Sequence, residues 1–181
     1  MNVAFYCASS ATIAPKYYDA ARLMGRLMAQ NGYTVINGAG SMGLMAAVSD
    51  GCLEAGGEVV GIIPTFMIEN DWHHKGLTRI IETEDMHQRQ RKMAEMADAA
   101  VVMAGGTGTL AELSEVICWK QLGIYSMPII IVNTDGYWDD VLSFLSRAKR
   151  ENFMRDEKCI VWKVVATPEE ALRIINSELK P

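Results

Sequence analysis

A carboxylate about one helical turn beyond a glycine loop is the feature of this sequence with the most chemistry in it. The stretch 104–112 reads A-G-G-T-G-T-L-A-E, and it contains Gly105, Gly106, Thr107, Gly108, Thr109 and, at its end, Glu112. It follows an apolar run over 99–103 and opens a helical pattern over 110–122. A strand, a glycine turn and a helix start in that order make a phosphate cradle. Backbone N–H groups converge there, and the positive end of the helix dipole favours an anion. A carboxylate beside such a cradle is electrostatically awkward, so Glu112 points to chemistry beyond phosphate holding.

Two further segments reach the same place. Gly38-Ala39-Gly40-Ser41-Met42-Gly43 follows the second apolar run, and Ser9-Ser10 follows the first. One G-x-G near a helix is weak evidence, because glycine also serves tight packing, whereas two such loops on one sheet edge are stronger. The upstream loop resembles a dinucleotide fingerprint but follows the second strand, and no acidic residue stands where it would grip a ribose. No lysine follows Gly108-Thr109, as a nucleoside triphosphatase would require. Arg89 opens a helix just after a strand, near the same edge, and offers a planar fork suited to phosphate or carboxylate. Met42 and Met86 are candidates to line a base pocket.

The elements that must position these groups alternate. Strands are expected over 2–8, 33–37, 58–63, 77–81, 99–103, 127–132 and 160–165. Helices are expected over 15–31, 44–55, 85–97, 110–122 and 137–150, and a last one is capped by Thr167 with Pro168 in its first turn. Leu23, Met24, Leu27 and Met28 mark the apolar side of the first helix. Residues 64–76 have no clean period and read as a surface loop. The alternation specifies an α/β fold: a Rossmann-like, doubly wound parallel sheet with helices on both faces and right-handed crossovers. Ligands in such sheets bind beyond the carboxyl ends of the strands. With no linker or repeat, residues 1–181 read as one domain.

Composition narrows the classes. The chain has 181 residues, 50% hydrophobic and 22% charged, with a net charge of −5 and no basic run, so nucleic-acid binding is not indicated. Cys7, Cys52, Cys118 and Cys159 form no C-x-x-C pair, which fits reduced thiols in the cytoplasm. Cys118 falls inside a helix and reads as packing. The first residues read as a strand and not as a signal peptide, and no apolar run approaches a membrane span. His73-His74 with Glu69 and Asp71 resembles a metal cluster only loosely; consecutive loop histidines more often hold none. His87 reads as a helix-start or pocket residue.

Taken together, these motifs resemble the LOG family of cytokinin riboside 5′-monophosphate phosphoribohydrolases, proteins often mislabelled as lysine decarboxylases. The family's P-G-G-x-G-T-x-x-E stands here as 104–112, its G-G-G-S-x-G-L-M as 38–45, and its M-H-x-R as Met86-His87-Gln88-Arg89. The stretches 119–123 and 133–138 are also similar, so the resemblance runs from Phe5 to about residue 155. It implies hydrolysis of the N-glycosidic bond of a nucleoside 5′-monophosphate to free base and ribose 5-phosphate, a homodimer with active sites near the interface, and no cofactor. By motif position, Arg89 and Glu112 are the catalytic pair. Ser10, Gly40, Ser41, Met42, Gly43, Met86 and residues 105–109 are expected to bind substrate, with Thr107 and Thr109 adding hydroxyls.

Three positions depart from the family. Ala104 replaces a proline and Gln90 replaces a lysine, a lost charge that Arg91, turned about 100° around the helix, is poorly placed to restore. Ala39 replaces a glycine, which the loop tolerates only if that residue keeps a negative φ. A lysine decarboxylase would need a Schiff-base lysine, and no lysine stands in a supporting motif. The competing readings are a non-catalytic nucleotide-binding protein on the same fold and an enzyme acting on another phosphosugar or nucleotide.

Overall fold

The computed structural model describes residues 1–154 and 161–180. Within them seven strands form one sheet: β1 (Asn2–Tyr6), β2 (Thr34–Asn37), β3 (Val59–Pro64), β4 (Arg79–Thr83), β5 (Ala99–Val102), β6 (Ile129–Val132) and β7 (Trp162–Val165). The spatial order is β4-β3-β2-β1-β5-β6-β7, and each neighbouring pair is parallel. The chain thus builds outward from β1 to one edge, then restarts on the other side with β5. The switch lies between β1 and β5, where such sheets take ligands.

The strands are short and apolar because both faces are covered. Alternate residues feed two cores. Val3, Phe5, Val35 and Val101 pack under α1 (Pro15–Gln30), α2 (Gly43–Glu54) and α7 (Pro168–Leu179). Ala4, Tyr6, Ile36 and Val102 pack under α4 (Met86–Met96), α5 (Thr107–Gln121) and α6 (Asp139–Arg150). Met24 and Met28 of α1 are buried as their spacing predicts, while Leu23 and Leu27 flank them, half-buried. Pro168 starts α7, and Thr167 Oγ1 accepts from Glu170 N at 3.3 Å.

Several boundaries move, each for a physical reason. Residues 64–76 are not a free loop. Five of them form α3 (Thr65–Glu69), too short to show a 3.6-residue period, and the remainder folds back on the Gly38–Gly43 loop. Ser41 N donates to Trp72 O (3.0 Å), His74 N donates to Ala39 O (2.8 Å), and Gly40 pairs with His73 in an antiparallel bridge. The fourth strand starts at Arg79, because Leu77 packs over Gly61 instead of pairing. α5 begins at Thr107, where low-propensity Thr and Gly conceal the helix. Cys118 is exposed, not packed. Ile160 and Cys159 lie outside the described residues.

Ala39 overturns the expectation of a negative φ. Its φ is +60°, in the left-handed region that costs an L-residue roughly 1–2 kcal/mol. Neighbouring bonds hold it there: Ala39 N donates to Asn37 Oδ1 (2.9 Å), and Asn37 Nδ2 donates to Ser49 Oγ on α2 (2.9 Å).

α1 and α2 touch through their backbones. A Cβ on Gly25 would stand 2.0 Å from the Val48 carbonyl oxygen, and one on Gly51 would stand 2.1 Å from that of Arg22. Helix propensity alone predicts that Gly25→Ala stabilises by about 1 kcal/mol. The expected result is the opposite, a loss of about 1–3 kcal/mol from overpacking in urea denaturation, and a gain in stability would contradict this packing.

Candidate active site

Arg89 and Glu112 arrive from different helices. Asp85 caps α4 by accepting from Gln88 N (2.7 Å), and Gln88 Oε1 accepts from Glu84 N (2.6 Å). These two bonds fix the first turn, after which Arg89 follows. Glu112 lies on the second turn of α5. The two side chains meet with Arg89 Nη2 3.6 Å from Glu112 Oε1, and they are only 6% and 7% exposed. Arg89 is therefore not part of a solvated helix face.

Room for the guanidinium comes from Gly38 at the end of β2. A Cβ there would lie 1.7 Å from Arg89 Nη2. Arg89 Nη1 also donates to Met86 Sδ (3.4 Å), and its Nε is buried without a protein partner. The pair sits beyond β1, whose last residues sense it. Burial and the Glu112 charge both push the Tyr6 phenol and the Cys7 thiol upward, so each stays neutral.

Burial pushes Glu112 up to about 7, against the opposing pull of Arg89 and with a small further push from Glu115. Desolvation therefore outweighs the ion pair. The sign for stability follows. Between the ordinary 4.5 and about 7 the folded protein keeps a proton that the unfolded chain releases, so this group costs stability as pH rises through that window.

The two glycine loops differ in kind. At the start of α2, Leu44 N and Met45 N both donate to Ala8 O (2.8 and 3.1 Å), so those amides are already satisfied within the chain. Gly43, with φ +67°, allows this closeness, since a Cβ would stand 2.6 Å from Ser10 O. At the start of α5 no side chain caps the helix. Gly106 and Gly108 are exposed, have no positive φ, and an added Cβ would meet nothing within 4 Å. The fold does not ask for glycine at either position; close approach of a ligand would.

Gly105 is different again. Thr109 Oγ1 lies 2.1 Å from where its Cβ would be, and Thr109 is buried, while Thr107 is exposed. Of the two threonines, only Thr107 presents its side chain to solvent at this edge. Tyr137, not singled out by its sequence position, donates its hydroxyl to Gly105 O (2.8 Å) and braces the turn. Ser10, Ser41, Met42 and Met86 are exposed around the rim, and Gly40 is buried.

The remaining candidates fall elsewhere. His74 Nε2 pairs with Asp50 Oδ1 (2.9 Å) and His73 Nε2 with Lys75 Nζ (3.2 Å). No metal-holding group of three or more His, Cys, Asp or Glu occurs among the described residues. His87 is exposed, and so is Arg91, unlike the buried Arg89. Lys120, half-buried, donates to Met127 O (2.6 Å) and Ser126 O (3.3 Å), fastening α5 to the strand after it.

These glycines offer a clean separation of fold from ligand. Gly108→Ala should leave the melting temperature unchanged or slightly raised. Affinity for ribose 5-phosphate, read by calorimetry, should fall on the order of tenfold, the loss of one hydrogen bond to a charged group. Unchanged affinity would remove the ligand role given to this turn.

Residues 45–175 match the family model described as "Possible lysine decarboxylase". A probable cytokinin riboside 5′-monophosphate phosphoribohydrolase of Oryza sativa subsp. japonica is 35% identical over 97% of this chain and 70% of its own length. A cytokinin riboside 5′-monophosphate phosphoribohydrolase of Arabidopsis thaliana is 37% identical over 84% of this chain and 70% of its own. The crystal structure of TM1055 superposes with a TM-score of 0.76 at 28% identity, covering 97% of this chain and 98% of that one. The molybdenum cofactor carrier protein of Chlamydomonas reinhardtii, at 19% identity, shares the fold alone, with a TM-score of 0.78 over 99% and 98% of the two chains. With its motifs gathered at one sheet edge and relatives this similar along most of its length, the chain belongs to the LOG family of cytokinin riboside 5′-monophosphate phosphoribohydrolases.

Proposed function

We propose that this protein hydrolyses the N-glycosidic bond of purine nucleoside 5′-monophosphates, of the cytokinin type or AMP, giving free base and ribose 5-phosphate. The observation that carries the reading is the buried Arg89–Glu112 pair beside the uncapped start of α5. The relatives named for this reaction support it.

The chemistry follows from placement. The 5′-phosphate sits on the amides of Gly106, Thr107 and Gly108, favoured by the helix dipole. Glu112 stands five residues into α5, about 7.5 Å along its axis, within the reach of a ribose whose phosphate is held at the helix start. As the C1′–N bond lengthens, positive charge develops on the sugar ring, and the ionised carboxylate stabilises it. Water adds to C1′ and gives its proton to Glu112, while the base departs with the bonding electron pair and takes that proton up from Glu112, which returns to the carboxylate. Arg89 keeps a fraction of Glu112 ionised near neutral pH and orients it. Positioned acid–base groups of this kind typically contribute roughly 10²–10⁴-fold.

We further propose a homodimer that works in the cytoplasm. Cys7, Cys52 and Cys118 are unpaired, which suits a reducing compartment. The dimer reading is supported by a groove of about 1050 Å³ between α5 and α6, rimmed by Leu110, Leu122, Phe144 and Phe153. Phe144 is 66% and Phe153 80% exposed, and no residue of α6 is fully buried. An apolar face of this kind marks an association site, and it lies on the same helix that carries Glu112.

Two experiments test these readings. Incubation with AMP and with isopentenyladenosine monophosphate, followed by chromatography of the free base, should show release by the wild type. Glu112→Gln should show a loss of 10²-fold or more with nucleotide still bound. For the wild type, kcat/KM should rise with pH to a plateau, with its midpoint near 7, as Glu112 ionises. Binding without base release would return the protein to a non-catalytic nucleotide binder. Separately, Phe144→Glu should convert a dimer to a monomer in analytical ultracentrifugation; an unchanged sedimentation profile would move the interface elsewhere.

A further inference from the structure

The arch between β3 and β4 carries two aromatic side chains that neither the catalytic pair nor the phosphate turn accounts for. Phe66 and Trp72 are 45% and 51% exposed, and their rings meet nearly at right angles, 6.4 Å between centroids. α3, which carries Phe66, buries none of its residues. The arch is nonetheless held at both ends. On one side Trp72 O, His73 and His74 N engage the Gly38–Gly43 loop, and the His74 ring pairs with Asp50 on α2. On the other, Thr65 Oγ1 donates to Thr83 O (3.3 Å), at the end of the strand that leads into Met86.

The arch therefore spans from the loop bearing Met42 to the helix start bearing Met86. Both methionines are exposed, at 57% and 37%, and Met86 Sδ contacts Arg89 directly. The strand order gives the substrate a direction across this edge. The phosphate turn follows β5, the Arg89 end of the catalytic pair lies against Gly38 after β2, and the arch runs from β3 back to the loop after β2. A nucleotide laid with its phosphate on α5 and its sugar at Glu112 extends its base towards the arch. A flat heteroaromatic base stacks on aromatic faces and is tolerated at their edges by polar groups.

We propose that Trp72, braced edge-on by Phe66, is the stacking face for the purine base of the substrate, and so a specificity-determining residue. This rests on the phosphoribohydrolase reading above for the substrate's orientation. The bond-breaking role stays with Glu112; Trp72 governs which base, and how firmly, is held.

The test compares ligands with and without a base. In Trp72→Ala, KM for AMP should rise about tenfold, in line with the loss of one base–aromatic stack, with kcat within twofold of wild type. The inhibition constant of ribose 5-phosphate, which has no base, should not change, and Trp72→Phe should restore most of the AMP affinity. Dissociation constants of both ligands, measured by calorimetry on a Glu112→Gln background, keep the result readable without turnover. A wild type that releases no base, with AMP binding still lost selectively in Trp72→Ala, would refute the enzymatic reading and support this one. AMP affinity untouched by Trp72→Ala, or equal weakening of AMP and ribose 5-phosphate, would overturn it while leaving the enzymatic reading intact.

Discussion

The site depends on the absence of one side chain. Arg89 reaches Glu112 because Gly38 leaves the volume that a Cβ would take, 1.7 Å from the guanidinium. Two charges nearly sealed from water are costly to assemble, and at 3.6 Å their attraction does not repay the loss of hydration, which is why Glu112 rests near 7 and not near 4. The rest of the molecule supplies what holds them. The cap of α4 fixes one partner, the packing of α5 against the strand layer fixes the other, and Asn37, bonded to Ala39 N and to Ser49 on α2, holds the loop that carries Gly38.

This arrangement is a compromise between stability and reactivity. A fully solvated glutamate would be ionised at neutral pH but weakly coupled to any charge forming nearby. A buried one couples strongly in a low dielectric, yet tends to hold its proton. Arg89 moves the balance far enough back that both forms are populated near neutral pH. Ala39 adds a second local strain within two residues of Gly38, and the Asn37–Ser49 bond offsets it. Strain of this sort gathers where geometry serves something other than folding.

Much of this was legible in the residues. The alternation of apolar runs with helical patterns specified the parallel sheet, and the spacing from Gly105 to Glu112 marked the edge where chemistry belongs. What escaped the sequence were features that arise only between distant segments. Nothing local reveals that Trp72 lies beside Ser41, that Tyr137 braces Gly105, or that Gly38 serves Arg89 and not a phosphate. Short elements escaped for a second reason: α3 has too few residues for its period to show, and the first turn of α5 is written in Thr and Gly, which read as loop. Ala39 shows the limit of residue-type rules, since its neighbours impose a backbone that its own side chain disfavours.

The Ala8 carbonyl closes one helix end to free anions. It occupies two amides at the start of α2, those of Leu44 and Met45, and it belongs to the same folded chain. A free anion would have to displace a ligand whose effective concentration is set by the folded chain, whereas among the described residues no side chain caps the start of α5. Two helix ends of similar sequence thus act as one open and one closed port. On the function proposed above, the 5′-phosphate of a nucleotide takes the open one.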